Sequence, residues 1–415
     1  MSWVAPDGDL NRDVAFRRVV MASIIAWMVG SFDAIDISPT KFVGVCVVAV
    51  GATLAFSPAE NWAKIRIPLP IVAFVMWWIA SVLWTIDTGQ WLLVAKAELI
   101  PLLALLTILL VGRPDDVLQG FLLGVVLLVL YTVVIAIIQP ETRTGAIGPF
   151  GEVLPGLRGP FPHKNQLAPF LLIGYYSLIQ FAGRRIVVAL LPVVGIMFAL
   201  TRSTTGLLLL IVMVATHLWL SQWRRQDVRS RRGYVAVSAV LAVFGGFLWV
   251  AIQPLLLAVS GKDPTLTGRT EIWSVVWNFI GQRPVLGWAP GSLWVNQGIE
   301  PTRTVSQTIG FYVFHAHNGY LELMLELGLV GLALFALLML GVFRLGSRRL
   351  KTDFALGQWA IVINVTLLIY SMSEIGTAGQ WLSMTWLSYV LLLRSEEMTT
   401  SEHSPLGDRT VERYS

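Results

Sequence analysis

Phe311–Gly331 reads FYVFHAHNGYLELMLELGLVG. It opens as a loop, passes through His315 and His317, and continues as an apolar run of helical period. On an α-helix, steps of four, seven, eleven and fourteen residues return to one face. From His317 those steps reach Leu321, Met324, Gly328 and Gly331. One stripe would then carry an imidazole at its outer end and two glycines deeper in. Glycine in a membrane helix lets a neighbouring backbone come close. The pattern predicts a histidine held at a membrane surface by a tightly packed helix.

The rest of the chain fits that setting. Of its 415 residues, 55% are hydrophobic and 13% are charged, against about a quarter charged in soluble domains. That excludes an ordinary soluble enzyme and predicts an all-α polytopic integral membrane protein. At roughly 17–25 apolar residues per span, the sequence gives about twelve. They lie near 16–33, 40–56, 68–85, 91–111, 117–138, 165–182, 186–201, 204–221, 234–259, 318–343, 354–373 and 377–393. Residues 1–259 form an N-terminal bundle of about nine spans, with an outer loop at 139–164. Residues 260–316 form a long outer loop, 317–394 contribute about three further spans, and 395–415 are a polar tail expected to be disordered. An even count puts both termini on one side. With that side inside, inner segments carry about 20 Lys and Arg and outer segments about nine, as the positive-inside bias requires. The net charge of +5 therefore needs no nucleic acid. Met1–Arg18 is polar and basic ahead of an apolar run, which reads as an uncleaved first span. The single cysteine, Cys46, excludes an internal disulfide and a cysteine metal site.

The long outer loop exceeds usual loop lengths, a mark of function or disorder. It contains TEIWSVVWNFIG at 270–281, whose Ile272, Trp273, Val276, Trp277 and Ile280 share a helical face, ended by Pro284. Such a face lies on a bilayer or packs on the bundle. Basic residues escaping the inner bias include Arg158, Lys164, Arg202, Arg269, Arg283 and Arg303. Arginine suits paired recognition of phosphate oxygens, and Arg269 opens the loop helix, where anions are favoured. Each alone is equally explained as a solvated charge or a headgroup contact. His317 is of the residue type most used as a general base near neutral pH, though a capping histidine would look the same. His315 and His317 form an H-x-H pair, but no carboxylate or third histidine is near in sequence, so no metal is expected. His163, Lys164 and Asn165, in PFPHKNQLAPF at 160–170, would form a second wall of a site or simply open a helix. Lys96, Glu98, Glu322 and Glu326 fall in or near spans, where charge is costly and commonly functional. Glu326 lies too deep, and on the wrong face, to orient His317.

HNGYLELMLELGLVG, His317–Gly331, fits His-Asn, nine residues, Gly, two residues, Gly. This resembles the O-antigen ligase and Wzy-type polymerase superfamily, and within it the ExoQ-like exopolysaccharide polymerases. GRTEIW at 268–273 followed by RPVLGWAPGS at 283–292, GPFPHKNQLAPF at 159–170, and TRSTTGLLLL at 201–210 resemble other segments of that family. The resemblance covers about residues 140–345. It implies a GT-C-like fold and a metal-independent, inverting glycosyltransferase without cofactor, acting on an undecaprenyl-diphosphate-linked glycan at the periplasmic face of the bacterial inner membrane. Both termini would be cytoplasmic. By the resemblance His317 would activate the acceptor hydroxyl and Arg269 would bind the diphosphate. Arg202 would be the second arginine, although Thr204 stands at the family's Ser-Arg or Ser-Lys place; Arg303, Arg158 or Lys164 are the substitutes. His163, Asn165, His315 and Asn318 complete the expected substrate contacts. Partners would be the bilayer and the flippase and chain-length regulator of the same pathway. The first reading is a polymerase of lipid-linked repeat units in capsule, exopolysaccharide or O-antigen synthesis. The alternative is a ligase moving a glycan to lipid A core, and after that a transporter or flippase, which predicts broken helices and mid-membrane ionisable groups.

Overall fold

The computed structural model describes residues 7–31, 38–58, 65, 67–147, 153–227, 229–230, 233–234, 269–294, 303, 307, 313, 315–376 and 379–402. Every apolar stretch expected to span is helical there, except 234–259, of which only Tyr234 is described; part of 260–316 also lies outside the described residues. The helices are α1 (Asp7–Ser31), α2 (Pro39–Phe56), α3 (Leu69–Ala80), α4 (Thr88–Val94), α5 (Ile100–Val111), α6 (Pro114–Ile138), α7 (Lys164–Phe181), α8 (Arg184–Thr201), α9 (Thr204–Arg225), α10 (Arg269–Gln282), α11 (Gly319–Thr352), α12 (Phe354–Tyr370) and α13 (Gly379–Glu402). A π-turn, Ala95–Leu99, joins α4 to α5.

Seven of the described helical runs are long and apolar enough to cross a membrane, and α3 and α12 are shorter apolar helices. The expectation of membrane-spanning helices is thus matched in kind; the count of twelve is not tested, because 234–259 lies almost wholly outside the described residues. Helix starts follow local chemistry: Pro39 and Pro114 open α2 and α6, where a missing N–H costs nothing. Asp87, Ser203 and Asp353 cap α4, α9 and α12 with side-chain oxygens. The last helix runs to Glu402, past the point where a disordered tail was expected. The all-α expectation needs one addition, an antiparallel hairpin of Thr144–Ile147 and Val153–Pro155 in the first long outer loop.

Large apolar side chains such as Val48, Ile137, Ile211 and Leu340 face outward, an arrangement suited to lipid. Between helices, polar pairs tie the bundle: Thr385 donates to Asn364 at 2.8 Å, Trp359 to Ser177 at 2.8 Å, and Gln180 to Gln358 at 3.2 Å.

The stripe expected along α11 is interrupted. Gly328 takes φ 65°, ψ −167°, so the helix breaks there and His317 does not share one continuous face with Gly331. The close approach at Gly328 is made by the loop after α10. A Cβ at Gly328 would lie 2.1 Å from the Val285 carbonyl oxygen. Residues 284–289 occupy the break through backbone bonds: Leu329 N to Pro284 O at 2.9 Å, Trp288 N to Leu325 O at 2.8 Å and Ala289 N to Glu326 O at 2.8 Å. Glu326, beside the break, accepts from Gly291 N at 3.4 Å. Broken helices and interior carboxylates are features a transporter would show, and here the break is filled by the chain itself.

The face of α10 packs on α11 rather than on a bilayer. Ile272, Val276, Phe279 and Ile280 are buried in a small core with Leu293, Trp294, Val313, Ala316, Leu321 and Leu325. Trp273 is partly buried there, whereas Trp277, expected on the same face, is 54% exposed.

Candidate functional site

Five chain segments meet at one end of the bundle. They are the starts of α7, α9, α10 and α11 and the turn that follows α12. At their centre is Glu374, 8% exposed. Arg269 Nη2 and Asn165 Nδ2 both donate to its Oε1, at 3.1 and 2.8 Å. His317 Nδ1 lies 3.4 Å from Oε2. Asn165 is fixed in turn: Ser203 Oγ donates to its Oδ1 at 2.8 Å, and the Tyr370 hydroxyl donates to its carbonyl at 3.1 Å. Ser203 also accepts from Gly206 N, so the α9 cap and the site network are one device.

The histidine is presented by unusual backbone. His317 has φ 49°, a left-handed conformation that a non-glycine residue adopts at a cost of about 1–2 kcal/mol. It persists because both sides are pinned. His317 N donates to His315 Nδ1 at 3.1 Å, and Gly319 N donates to the Ser371 and Glu374 carbonyls at 2.7 and 3.0 Å. Since Nδ1 of His315 accepts, the proton of that neutral ring sits on Nε2. The rings of His315 and His317 lie 4.0 Å apart. Burial, aided by the charge of His317, pushes the His315 pKa down to about 3. Burial alone would raise the Glu374 carboxyl. The hydrogen bond and charge of His317, with the charge of Arg269, overcome it and hold the group at about 2. An ionised Glu374 makes Nδ1 the protonated nitrogen of a neutral His317 and leaves Nε2 as its basic position.

The other sequence-predicted residues take different positions around this network. Asn165 joins the network directly. His163 is the α7 cap, accepting from Asn165 N at 3.0 Å, and burial lowers its pKa. Asn318 caps α11, its Oδ1 accepting from Tyr320 N and Leu321 N at 3.0 and 3.2 Å. Lys164 Nζ donates to Pro155 O at 2.7 Å and Arg158 Nη1 to Phe161 O at 3.0 Å, so both brace the loop between hairpin and helix. Arg202 is exposed in a left-handed turn after α8, while its neighbour Ser203 enters the network. Arg303 is exposed. Arg283 donates to Trp84 O at 3.2 Å and stacks on Trp288 at 4.1 Å.

Sequence reasoning missed Glu374, Ser203 and Tyr370. Glu374 sits in the short turn SEIG between two expected spans. A lone acid in an outer turn was the available signal. It also supplies the carboxylate that H-x-H lacked in sequence. One ligand atom each from His315, His317 and Glu374 lie within 4.8 Å of one another, a set that could hold a metal ion. The donors are otherwise engaged: Oε1 of Glu374 by Arg269 and Asn165, and Nδ1 of His315 by a backbone N–H. A guanidinium on the same carboxylate disfavours a second cation there.

Residues 186–336 match the family model Wzy_C, described as O-Antigen ligase. The chain is 30% identical over 139 residues to "Exopolysaccharide production protein ExoQ" of Rhizobium meliloti (strain 1021). That alignment spans 31% of this chain and 31% of the relative. Both findings agree with the resemblance carried by the His-Asn-Gly-Gly motif: over these stretches the chain is similar to O-antigen ligase and ExoQ-like proteins.

Proposed function

We propose that this protein is a membrane glycosyltransferase that joins undecaprenyl-diphosphate-linked repeat units at the periplasmic face of the bacterial inner membrane. One observation carries the reading: a histidine and an arginine from distant segments meet on one buried carboxylate, at the end of the bundle opposite its basic loops. An outer-facing site has no access to cytoplasmic nucleotide sugars, so a lipid diphosphate is the energised donor.

In the proposed step the acceptor hydroxyl gives its proton to His317 Nε2 while its oxygen attacks the anomeric carbon. The bond from that carbon to the diphosphate oxygen breaks, and the electron pair leaves with the lipid diphosphate. Attack opposite the leaving group inverts the anomeric centre. Glu374 orients His317 and stabilises the imidazolium that forms. Arg269 uses one of its five N–H donors on Glu374, which leaves others for the diphosphate. Positioning and charge stabilisation supply the rate, without a metal or cofactor. The 160–170 segment, with Asn165 in the network, and the relative's printed role in exopolysaccharide production support a polymerase over a ligase.

The test is product analysis on purified protein in lipid bilayers. It is given the host's lipid-linked repeat unit, with chelator present and no nucleotide. A ladder of multiples that disappears in His317→Ala is the expected result. Substrate left unchanged by the wild type rules against the polymerase. Transfer to added lipid A core would then establish the ligase, and movement of the unit without bond formation the flippase.

A further inference from the structure

The His317 base is flanked by a residue whose two backbone polar groups are both claimed by side chains. Ala316 is fully buried. Its N–H donates to Glu322 Oε2 at 2.6 Å, and its carbonyl accepts from Trp273 Nε1 at 2.9 Å. The other oxygen of Glu322, Oε1, accepts from Trp294 Nε1 at 2.5 Å. Glu322 is 4% exposed and sits in the first turn of α11, where the helix N-terminus favours a carboxylate. Both indoles come from the outer-loop region: Trp273 from α10 and Trp294 from the segment that follows it.

We propose that Glu322, Trp273 and Trp294 form a positioning clamp that makes presentation of His317 conditional on docking of the outer loop. The proposal rests on the glycosyltransferase reading above and adds residues that touch neither substrate nor reacting atoms. The left-handed turn at His317 is strained, and strain persists only where the surroundings over-determine it. With the loop undocked, the Ala316 carbonyl loses its donor and Glu322 loses one of two. The peptide at 316–317 then keeps only the His317 N–H bond to His315 and loses the restraint on its carbonyl, which lets it rotate and carry His317 off Glu374. With the loop docked, the turn has a single solution. The loop that carries Arg269 therefore also sets the base, so both halves of the site assemble together.

The test uses the full chain in lipid bilayers with two variants. Trp273→Phe removes the indole N–H and keeps an aromatic ring. Glu322→Gln keeps the shape but leaves one oxygen to serve two donors. For both, kcat for repeat-unit transfer is expected to fall at least tenfold, with KM for the lipid-linked donor within about twofold. A merely structural loss would instead lower the fraction of active protein, which burst amplitude or active-site counting reads separately. A second readout needs no turnover: the rate at which diethylpyrocarbonate modifies His317, followed by mass spectrometry against His217 in the same molecule. It is expected to change at least threefold at His317 and to stay constant at His217. Wild-type kcat and wild-type His317 reactivity in Trp273→Phe overturn the clamp, whether or not Glu322→Gln folds. If the wild type transfers no sugar, the glycosyltransferase reading fails, while the modification rate still decides the clamp.

Discussion

Glu374 shows how much one side chain sets at this site. Its carboxylate takes Arg269, Asn165 and His317 together, so its removal takes the carboxylate from a half-buried arginine and leaves the base untethered. Glu374→Gln keeps a carbonyl for one donor and loses the charge; transfer is expected to fall about 10²-fold or more, the scale of general acid–base contributions. The measurement is single-turnover transfer at pH 7.5. The pH dependence of stability follows from two shifts of the same sense. His315 titrates near 3 when folded and near 6.5 when unfolded. Between those values the unfolded chain binds a proton that the folded one refuses, so stability falls as pH drops through that window. Glu374, at about 2 folded and 4.5 unfolded, adds stability above pH 4.5 that is lost toward pH 2. Thermal unfolding in detergent between pH 7.5 and 5 should therefore show a loss to which His315 contributes most and His163, also lowered by burial, adds in the same direction. His315→Asn, whose Oδ1 can accept the His317 N–H without titrating, should make it shallower and leave the His163 part. His317, Arg269 and Asn165 were legible in sequence because each sits in a motif of unusual residue types. Glu374 was not, because its role depends on α12 returning to the start of α11, which no local pattern encodes.

At the scale of elements, the decisive feature is the break in α11. The sequence on either side of Gly328 is Leu-rich and of helical period, so hydropathy reads 318–343 as one uninterrupted span, within the helix Gly319–Thr352. The break arises from its partner: residues 284–291 supply donors to carbonyls on α11 and take two of its N–H groups. Trp77 Nε1 covers the Leu327 carbonyl at 3.0 Å. Every backbone group freed by the interruption that these bonds reach is satisfied, which is what permits irregular backbone at such depth. Gly328→Ala forces a left-handed alanine against the Val285 carbonyl. The expected cost is about 1–3 kcal/mol, read as a lower melting temperature. Because the same loop carries Trp288 and leads from α10 to Trp294, transfer activity should fall with it. A variant with wild-type stability would show that the loop does not hold the break. The amphipathic period of α10 was readable, but not which part of its face would meet protein. Ile272 and Val276 went inward and Trp277 stayed out because α11 covers a narrower stripe than the apolar face offers.

Over the whole molecule, the contacts separate two ends. At one, Arg17 and Arg113 pair with Asp116 and Asp13, joining the starts of α1 and α6. There Arg394 near the end of α13 donates to carbonyls at the end of α5, at 3.1 Å to Leu109 and 2.6 Å to Leu110. Arg224 at the end of α9 lies 4.5 Å over Phe354 at the start of α12. At the other are the starts of α7, α9, α10 and α11, the end of α12 and Glu374. Helix direction links them, since α6, α8 and α12 run from the first end to the second, and α9 and α13 run back. The sorting of Lys and Arg was legible without any structure, because it depends on which loop a charge occupies and not on what it touches. Individual spans were harder to read where α7 carries polar residues for the site and α12 is short. On the function proposed above, the positive-inside rule assigns the basic end to the cytoplasm and the Glu374 network to the periplasm. Replacing Cys46, the sole cysteine, gives a background for the check. A cysteine at Trp277, exposed on α10, should react with an impermeant maleimide added to intact spheroplasts. One at Ser230, exposed beyond α9, should react only after the membrane is opened. The reverse pattern would turn the site toward the cytoplasm, where nucleotide sugars are available, and would remove the reason for a lipid-diphosphate donor while leaving the geometry of His317, Arg269 and Glu374 intact.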